Sequence, residues 1–315
     1  MNSFAEEFNK STDAWYDKAT VRYTPRIIVP ERSGGERIYP LARVIICEHP
    51  LVLAREGAQS YILTQAAYQF LYGVGLLETK FVIQCALDLI HNHIEGIDAY
   101  EKIQALTVLI DEGYHAYVAL DYIIQMGNES GIKPLREPAT NRHIDATLRA
   151  YTKLPVALKM DFQLLAITLA ENVLTEEVAC IGREKQVEET FIRLMKDHVR
   201  DEGRHANYFV TVMKKRWSEL SIETQLHFGE ILPEYLDDFL GIDTYRGFER
   251  EVLAACDFSS SDIERIISDT NSLYLSEQAS LAEKAKARLY RLLKHLGVLD
   301  LEENQRAFRG RSYTI

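Results

Sequence analysis

The chain has 315 residues, of which 47% are hydrophobic, so it can bury a large core as one domain. Its formal net charge of −11 argues against a nucleic-acid partner, because contacts to phosphate need a basic surface. The N-terminal residues lack an apolar signal core and no run approaches membrane-spanning length, so we expect a cytoplasmic protein without a membrane partner.

The predicted elements are helices joined by short turns, in keeping with a content of only 8 Pro and 16 Gly. Residues 1–54 are predicted to form a short helix from Phe4 to Lys18 and then an N-terminal wrap through Arg26 to Pro30. Four long helices are then predicted to form a bundle over residues 55–217: 55–92, 98–127, 153–183 and 186–217.

The C-terminal part, residues 218–315, is predicted to cover the bundle with further helices: 219–239, 245–256, 260–274 and 276–296. The tail from Arg306 to Ile315 is polar and is expected to be loosely ordered. The cysteines have no paired spacing, which predicts reduced thiols in the core: Cys47, Cys85, Cys180 and Cys256. We therefore predict an all-α chain with one domain over residues 1–315.

Two pentapeptides of the predicted second and fourth bundle helices are near copies: Asp111-Glu112-Gly113-Tyr114-His115 and Asp201-Glu202-Gly203-Arg204-His205. Each places a glutamate and a histidine three residues apart, which on a helix brings both to one face, where they can bind one metal ion. One Glu-x-x-His occurs by chance in helical proteins. A second copy with the same preceding Asp and following Gly is not explained by a solvated helix face, so the repeat predicts a dinuclear metal site.

A dinuclear site in a four-helix bundle also needs one lone glutamate from each of the other two helices. Glu78 lies in an apolar run before the first pair, and Glu171 lies in a similar run between the pairs. A lone carboxylate on an apolar helical face is costly to bury unless a positive group meets it. Glu176 and Glu177 are the competitors of Glu171, but at ~100° per residue they point about 140° and 240° away from it, which favours surface charges.

A third histidine lies on the stripe of the second pair. His198 precedes Glu202 by four residues and His205 by seven, so all three share one face of the fourth helix. We predict that His198 binds metal, the alternative being a histidine that only lines the pocket. Asp111 and Asp201 each precede the histidine of their own pair by four residues. They are predicted to accept a hydrogen bond from an imidazole N–H and to fix its tautomer, unless they are surface carboxylates.

Further pocket residues are predicted from helical spacing. Thr175 is a candidate catalytic residue, because its hydroxyl could hydrogen-bond an oxygen atom at the metals, although such a threonine as often bonds the carbonyl one turn back. Arg288 and Arg291 are predicted surface charges, the alternative being contact with a substrate carboxylate or a carrier-bound phosphopantetheine. Apolar residues three, four or seven positions from a ligand are predicted to line the pocket: Val74, Phe81, Val82, Val108, Ala119, Leu174 and Val178.

Carboxylate and imidazole ligands suit iron and manganese, and a set without thiolates is a poor match to a structural zinc. We therefore predict two iron ions, with manganese as the alternative.

The pattern resembles the p-aminobenzoate N-oxygenases, a family of non-haem di-iron enzymes with a ferritin-like four-helix bundle. The resemblance covers the bundle core from about residue 55 to 215, and the third histidine, His198, is its most specific mark. The paired Glu-x-x-His motifs are shared with ribonucleotide reductase small subunits and bacterial multicomponent monooxygenases. By type and order, the resemblance implies seven metal ligands: Glu78, Glu112, His115, Glu171, His198, Glu202 and His205.

The resemblance also implies an activity. It implies an enzyme that uses O2 and an external electron donor to oxidise a primary amine to a hydroxylamine, and further to a nitroso or nitro product, in secondary metabolism such as antibiotic biosynthesis. The substrate would be an arylamine or an amino-acid-derived amine, free or carrier-bound, and a reductase would supply electrons. The C-terminal helices would close the pocket or build a homodimer. The alternatives are a di-iron hydroxylase or desaturase acting on carbon, and a ferritin-like iron-storage or metal-buffering protein.

Overall fold

The computed structural model describes residue 10, residues 12–31 and residues 37–309. Four long helices form the bundle, and we call them bundle helices 1 to 4. Bundle helix 1 runs through Ala58–Leu77, a π-helical turn at Glu78–Val82 and Ile83–Ile90. The other three are Ala99–Ser130, Lys159–Ile181 and Glu189–Glu219. The prediction of four bundle helices is confirmed, with bounds that differ by a few residues.

Shorter elements surround the bundle. The further α-helices are Thr20–Tyr23, Pro50–Leu53, Arg142–Tyr151, Ile222–Phe239, Gly247–Ala255, Ser260–His295 and Glu302–Ala307. Short 3-10 turns occur at Leu41–Arg43, Ile45–Glu48, Val156–Leu158 and Val298–Asp300. Across the described ranges there is no strand, and an isolated bridge joins Arg37 to Val187. The chain is therefore all-α, as the sequence predicts.

Local signals set the ends of bundle helix 2. Asp98 accepts hydrogen bonds from the backbone N–H groups of Tyr100 and Glu101, while the Glu101 side chain accepts from the N–H of Asp98. This reciprocal capping box satisfies donors that the first turn leaves free. The helix ends at Gly131, whose φ of +69° is a left-handed conformation that glycine adopts without strain.

Bundle helix 3 is buried in the protein interior by the helices that pack around it. Every residue from Asp161 to Glu171 is buried, so this helix has no solvated face over three turns. The long helix Ser260–His295 packs against it, as does bundle helix 4. A helix buried all round needs apolar residues on every face, which explains the run Phe162–Ala170 in the sequence.

Several predictions outside the bundle core are corrected. The predicted helices 260–274 and 276–296 are one helix, Ser260–His295, since the sequence around Leu275 contains no glycine or proline to break it. The tail is not loosely ordered in its first part, because Glu302–Ala307 is helical and Phe308 is only 4% exposed. Residues 12–18 are helical within the predicted helix from Phe4 to Lys18, of which residues 4–9 and 11 lie outside the described residues, as do residues 310–315 of the tail.

The cysteines and the apolar helix complete this comparison. All four cysteines are free; Cys47 and Cys85 are buried, whereas Cys180 and Cys256 are only half-buried. By length and composition, Ala58–Ile90 is apolar enough to cross a membrane, with a mean hydropathy of 1.4 over its best 18 residues, so the expectation that no run approaches that length is wrong. The same helix carries Glu78 into the bundle interior, which is the behaviour of a core helix.

Candidate metal centre

The fold brings all seven predicted metal ligands to one place in the bundle. Their ligand atoms fall into two groups, in each of which the atoms lie within 4.8 Å of one another. The first group takes one residue from each of bundle helices 1, 2 and 4: Glu78, His115 and His198. The second takes residues from bundle helices 2, 3 and 4: Glu112, Glu171, Glu202 and His205. Two adjoining groups of this kind are what a dinuclear centre requires.

Glu78 enters the site from an irregular turn. It is the first residue of the π-helical stretch Glu78–Val82, which interrupts an otherwise α-helical bundle helix 1. A π turn inserts one extra residue and rotates the side chains that follow it, and such turns are frequent at functional sites. Glu78 is only 4% exposed, and neither of its carboxylate oxygens has a hydrogen-bond partner.

The two Glu-x-x-His pairs face each other across the centre. The Nδ1 atom of His205 lies 2.9 Å from Oε1 of Glu112 and 3.5 Å from Oε1 of Glu202. The Nδ1 atom of His115 lies 3.5 Å from Oε2 of Glu112 and 3.4 Å from Oε1 of Glu202. Each glutamate of a pair is therefore close to both histidines and could help to hold either ion of a pair.

His198 joins the first group through its other ring nitrogen. Its Nε2 atom lies 3.1 Å from Oε1 of Glu202 and 3.5 Å from Oε1 of Glu78. Its ring stacks on that of His115, with the centroids 4.2 Å apart. This placement supports direct ligation over a role in lining the pocket, because Nε2 of His198 points among the same carboxylate oxygens as Nδ1 of His115.

The unpartnered atoms of this cluster test whether metal ions fit it. Burial raises the pKa of the Glu78 and Glu171 carboxyl groups well above the ordinary value, and the charges of Glu112 and Glu202 nearby add to this rise. Two divalent cations would balance four carboxylates, and oxygen and imidazole donors suit iron or manganese. Within this cluster, the buried atoms without a hydrogen-bond partner are both carboxylate oxygens of Glu78 and Glu112, Oε2 of Glu171, Oε1 of Glu202, and Nδ1 of His115 and His205. The residues present therefore fit a pair of metal ions.

The two aspartates of the repeated pentapeptide contact Nε2 of the histidines, the ring nitrogen on the side away from the glutamates. Oδ2 of Asp201 lies 3.1 Å from Nε2 of His115, and Oδ2 of Asp111 lies 3.1 Å from Nε2 of His205. That they accept a hydrogen bond from an imidazole N–H stays a prediction, and the structure places each aspartate beside the histidine of the other pair, not of its own. Each aspartate lies one turn before the histidine of its own pair, on the same face of the helix. Both aspartates nevertheless point across to the neighbouring helix, where they meet the other histidine. With a proton on Nε2, Nδ1 is left free to bind metal.

Residues that the sequence did not single out complete this second layer. One nitrogen of Arg204, Nη2, donates to Asp111 at 2.9 Å and to Asp201 at 2.6 Å, so one guanidinium links both aspartates. The segment before the bundle adds a donor to each: Nε1 of Trp15 donates to Asp111 at 2.9 Å, and the hydroxyl of Thr20 donates to Asp201. Arg204 stands where the first pentapeptide has a tyrosine, and this difference between the copies was the available signal.

Arg204 provides a test of this second layer. Arg204→Leu leaves two buried carboxylates without their shared cation and loosens both histidines, so we expect the affinity for metal to fall about 10- to 100-fold. Competition between the protein and a chelator for ferrous iron measures this. The matched control is Arg200→Leu one turn earlier, since Arg200 is 54% exposed and approaches only Asp197, at 3.5 Å. Equal affinities for Arg204→Leu and the wild-type protein would contradict the role given to Arg204.

The competing acidic residues of bundle helix 3 lie outside the centre. Glu176 accepts from Arg183 at 2.9 Å and from Arg288 at 3.0 Å, and these bonds lower its pKa to about 2. Glu177 pairs with Arg43 at 3.3 Å. The alternative role of Arg288 in binding substrate is therefore not supported, because its guanidinium is held on the outer side of bundle helix 3, where it also donates to a backbone carbonyl.

Thr175 lies one turn after Glu171, and its hydroxyl donates to the backbone carbonyl of Glu171. This is the backbone-bonded alternative, and it uses the only proton that the hydroxyl can donate. The catalytic role of Thr175 stays a prediction, and in this structure the side chain can act only as an acceptor.

A small cavity adjoins the first ligand group. It has a volume of about 20 Å³ and lies between the bundle and the segment that contains Thr20 and Ile27. Val74 and Ala119 line it, as predicted, whereas Phe81, Val82 and Val108 lie in the hydrophobic core. Its polar lining comes from Thr20, Thr24, Tyr114, His115, Asp197 and His198. The cavity thus reaches His115 and His198, and in this conformation it is too small for an aromatic ring.

A comparison with protein families gives one match. The family model described as "P-aminobenzoate N-oxygenase AurF" matches residues 85–256, more than half of the 315 residues. The matched range contains every ligand of bundle helices 2, 3 and 4, while Glu78 precedes it. No curated protein matches the sequence significantly.

Proposed function

The chain belongs to the p-aminobenzoate N-oxygenase family of di-iron oxygenases, and on this basis we propose that it oxidises a primary amine at nitrogen with O2. The observation that supports this most directly is the position of His198, whose Nε2 atom lies among the carboxylate oxygens of Glu78 and Glu202. A third histidine adds a neutral donor to one metal, beyond the two histidines of the paired motifs.

The proposed reaction inserts one oxygen atom of O2 into an N–H bond. The amine R–NH2, O2, two electrons and two protons give the hydroxylamine R–NHOH and water, so an external reductase must supply the electrons. Two iron ions, when bound, supply the reduction and activation of O2. Repetition of such oxidation at the same nitrogen would give nitroso and nitro products.

The residues of the chain hold this centre and control what reaches it. Asp111 and Asp201 keep a proton on Nε2 of His205 and His115, which fixes the ring orientation of both histidines. The walls of the adjoining cavity exclude bulk water with apolar side chains such as Leu71 and Val118. An amine reacts through its lone pair, so it must arrive unprotonated, which favours arylamines over aliphatic amines at neutral pH.

Membership of the family supports the finer assignments as proposals. We propose an arylamine or an amino-acid-derived amine as substrate, free or carrier-bound, and a role in secondary metabolism such as antibiotic biosynthesis in the cytoplasm. Iron is the proposed metal, with manganese as the alternative. Carbon hydroxylation or desaturation and iron storage are the competing functions, and the following experiment separates them.

The test begins with anaerobic loading by ferrous iron and a count of bound metal. The loaded protein is then mixed with 18O2 and p-aminobenzoate, with a chemical reductant and mediator as electron source, and the products are identified by mass spectrometry. The expected result is two irons per chain and 18O in a hydroxylamine product. Two irons with no N-oxidised product from any of a panel of arylamines would contradict N-oxygenation, and iron uptake far beyond two per chain would indicate storage.

A further inference from the structure

The candidate metal centre is enclosed, so electrons have to reach it through the protein. Glu112, Glu171 and His205 are each at most 4% exposed. The adjoining cavity has a volume of about 20 Å³, which holds a water molecule but not the cofactor of an electron donor. The proposed amine oxidation, on which this inference rests, consumes two electrons from an outside donor. The chain therefore needs a path that joins its surface to a metal ligand.

A line of hydrogen-bond contacts runs from Trp15 to the centre. The indole Nε1 of Trp15 donates to Asp111, at 2.9 Å from Oδ1 and 3.1 Å from Oδ2. The same Oδ2 atom lies 3.1 Å from Nε2 of His205, and Nδ1 of His205 lies 2.9 Å from Oε1 of Glu112 on the metal side. Electron tunnelling decays less steeply along covalent and hydrogen bonds than across non-bonded contacts between side chains. Asp111 thus connects the indole ring to a candidate ligand.

At its outer end this line reaches a cluster of partly exposed aromatic residues. The rings of Trp15 and Tyr16 meet edge to face, with their centroids 5.2 Å apart. The guanidinium of Arg22 lies over the rings of Trp15, Tyr16 and Tyr23, at 5.5, 4.5 and 5.8 Å from their centroids. Trp15 is half-buried, whereas Tyr16 and Tyr23 are 49 and 61% exposed. We call these four residues the aromatic patch, and they are of the types that contribute most to protein interfaces.

The other aspartate of the repeat provides an internal control. Asp201 lies 3.1 Å from Nε2 of His115, as Asp111 does from the second histidine. The segment before the bundle donates to Asp201 through Thr20, with its backbone N–H and its hydroxyl. A threonine thus gives a carboxylate its donor as an indole does, but it has no π system that can pass an electron. Support of an aspartate alone therefore does not require a tryptophan, and the difference between the two sides gives Trp15 a further role.

We propose that Trp15, Asp111 and His205 form the path by which electrons enter the metal centre, and that a one-electron donor protein binds at the aromatic patch. Two electrons pass singly from the donor through the indole, the carboxylate and the imidazole. They reduce two ferric ions to ferrous ions while the donor is oxidised, and no bond of the chain is made or broken. Reduced iron–sulfur and flavin proteins are donors of this class. Arg22 offers a cation to a carboxylate on such a donor.

The first test measures how fast the oxidised two-iron protein is reduced when no amine is present. The protein is mixed anaerobically with reduced methyl viologen, and the loss of ferric absorption is followed by stopped flow at equal iron content. Trp15→Phe keeps an aromatic ring that is much harder to oxidise than indole, so reduction should slow at least about tenfold. Thr20→Val removes the hydroxyl donor from the other aspartate and should stay within about twofold of the wild-type rate. Trp217→Phe, at a tryptophan that is only 3% exposed, is a second control.

The outcomes separate the electron path from a positioning role and from the proposed function. Equal slowing by Trp15→Phe and Thr20→Val would mean that Trp15 only positions Asp111, and it would overturn the path. A Trp15→Phe protein that is reduced at the wild-type rate would overturn it too. Because no amine takes part, a protein that is reduced through Trp15 but oxidises no amine at nitrogen would contradict N-oxygenation and keep the path.

The second test asks whether a donor protein binds at the aromatic patch. Reduced [2Fe–2S] ferredoxin and reduced flavodoxin replace methyl viologen, and Arg22→Glu reverses the charge at the middle of the patch. The rate with the protein donor that reduces the wild type should fall at least about tenfold, while the rate with methyl viologen stays unchanged. Arg265→Glu, at an arginine that is 68% exposed on the helix Ser260–His295, is the control and should keep both rates. A donor site at the patch is overturned if neither protein reduces the wild type, or if Arg22→Glu is reduced as fast as the wild type.

Discussion

Glu171→Gln is expected to abolish amine oxidation, with a loss of at least about 1,000-fold in rate. Among the described residues, Glu171 is the only candidate ligand from bundle helix 3, and it belongs to the group completed by Glu112, Glu202 and His205. Glutamine has the same size but no charge, so the fold is kept while one metal loses an anionic donor. We expect the affinity for that metal to fall at least about 100-fold, measured by titration with ferrous iron under anaerobic conditions.

The control is Glu176→Gln on the same helix, because Glu176 is paired with Arg183 and Arg288 on the outside of the bundle. It should keep two metals per chain and normal oxidation. The same pair of variants should differ in thermal unfolding: metal raises the melting temperature of a protein that binds it only when folded, and Glu171→Gln should lose much of this increase. A Glu171→Gln protein that binds two metals with unchanged affinity would contradict the assignment.

Glu171→Gln also tests whether this buried carboxyl group lowers the stability of the metal-free protein. The carboxyl group of Glu171 is buried beside the carboxylates of Glu202 and Glu112, and burial together with their charge raises its pKa. Removing a buried ionisable group stabilises a structure when nothing else pairs with it. We therefore expect metal-free Glu171→Gln to be at least as stable as the metal-free wild-type protein, although it cannot function.

The convergence of the seven candidate ligands could be predicted from the sequence because they leave local traces. Glu112 with His115, and Glu202 with His205, fall at helical spacing within a repeated pentapeptide. Glu78 and Glu171 stand out as carboxylates in apolar runs, where burial without a cation would be costly. These signals depend only on helix geometry and on the free-energy cost of burying charge. Neither of them depends on how the rest of the chain packs.

The layer behind the ligands could not be predicted in the same way. Asp111 binds the histidine of the other pair because bundle helices 2 and 4 lie side by side, a fact that spacing along one helix does not contain. Trp15 and Thr20 reach the aspartates from some ninety and one hundred and eighty residues away in the chain. The π turn at Glu78 likewise has no signature in the residue types around it, since its residues would also fit an α-helix.

The apolar outer face of bundle helix 2, which includes Ile103, Leu106 and Ile110, lies between these two cases. Its heptad spacing is visible in the sequence, but bundle helix 2 has apolar residues on several faces, and the pattern alone does not say which one meets the core. The structure assigns Ala105, Val108 and Ala119 to the core and leaves Ile103, Leu106 and Ile110 outside. An apolar residue on a bundle helix is therefore evidence of burial in the chain or in an assembly, and coordinates are needed to separate the two.

His198→Ala is expected to reduce amine oxidation by about 100-fold or more and to weaken one of the two metals. His198 shares the first group with Glu78 and His115, so its removal leaves two of the three side chains of that group, whereas the second group keeps four. We expect metal content to fall from two per chain towards one when the free metal is held at a low buffered concentration. His295→Ala, at an exposed histidine near the end of the helix Ser260–His295, is the control and should retain both metals.

Imidazole added to the His198→Ala protein separates ligation from a packing role. His198 lines the cavity that adjoins the centre, so the ring that alanine removes leaves a space open towards that cavity. Free imidazole can occupy this space and donate a nitrogen to the metal, and it should restore the second metal together with part of the oxidation rate. A histidine that only fills volume would be replaced as well by benzene or toluene, which have no donor. Ligation by His198 would be contradicted if benzene or toluene restored metal binding and activity as well as imidazole does. Full metal content and activity in His198→Ala without any added compound would contradict it too. Either result would remove the main feature that sets this centre apart from other paired Glu-x-x-His sites.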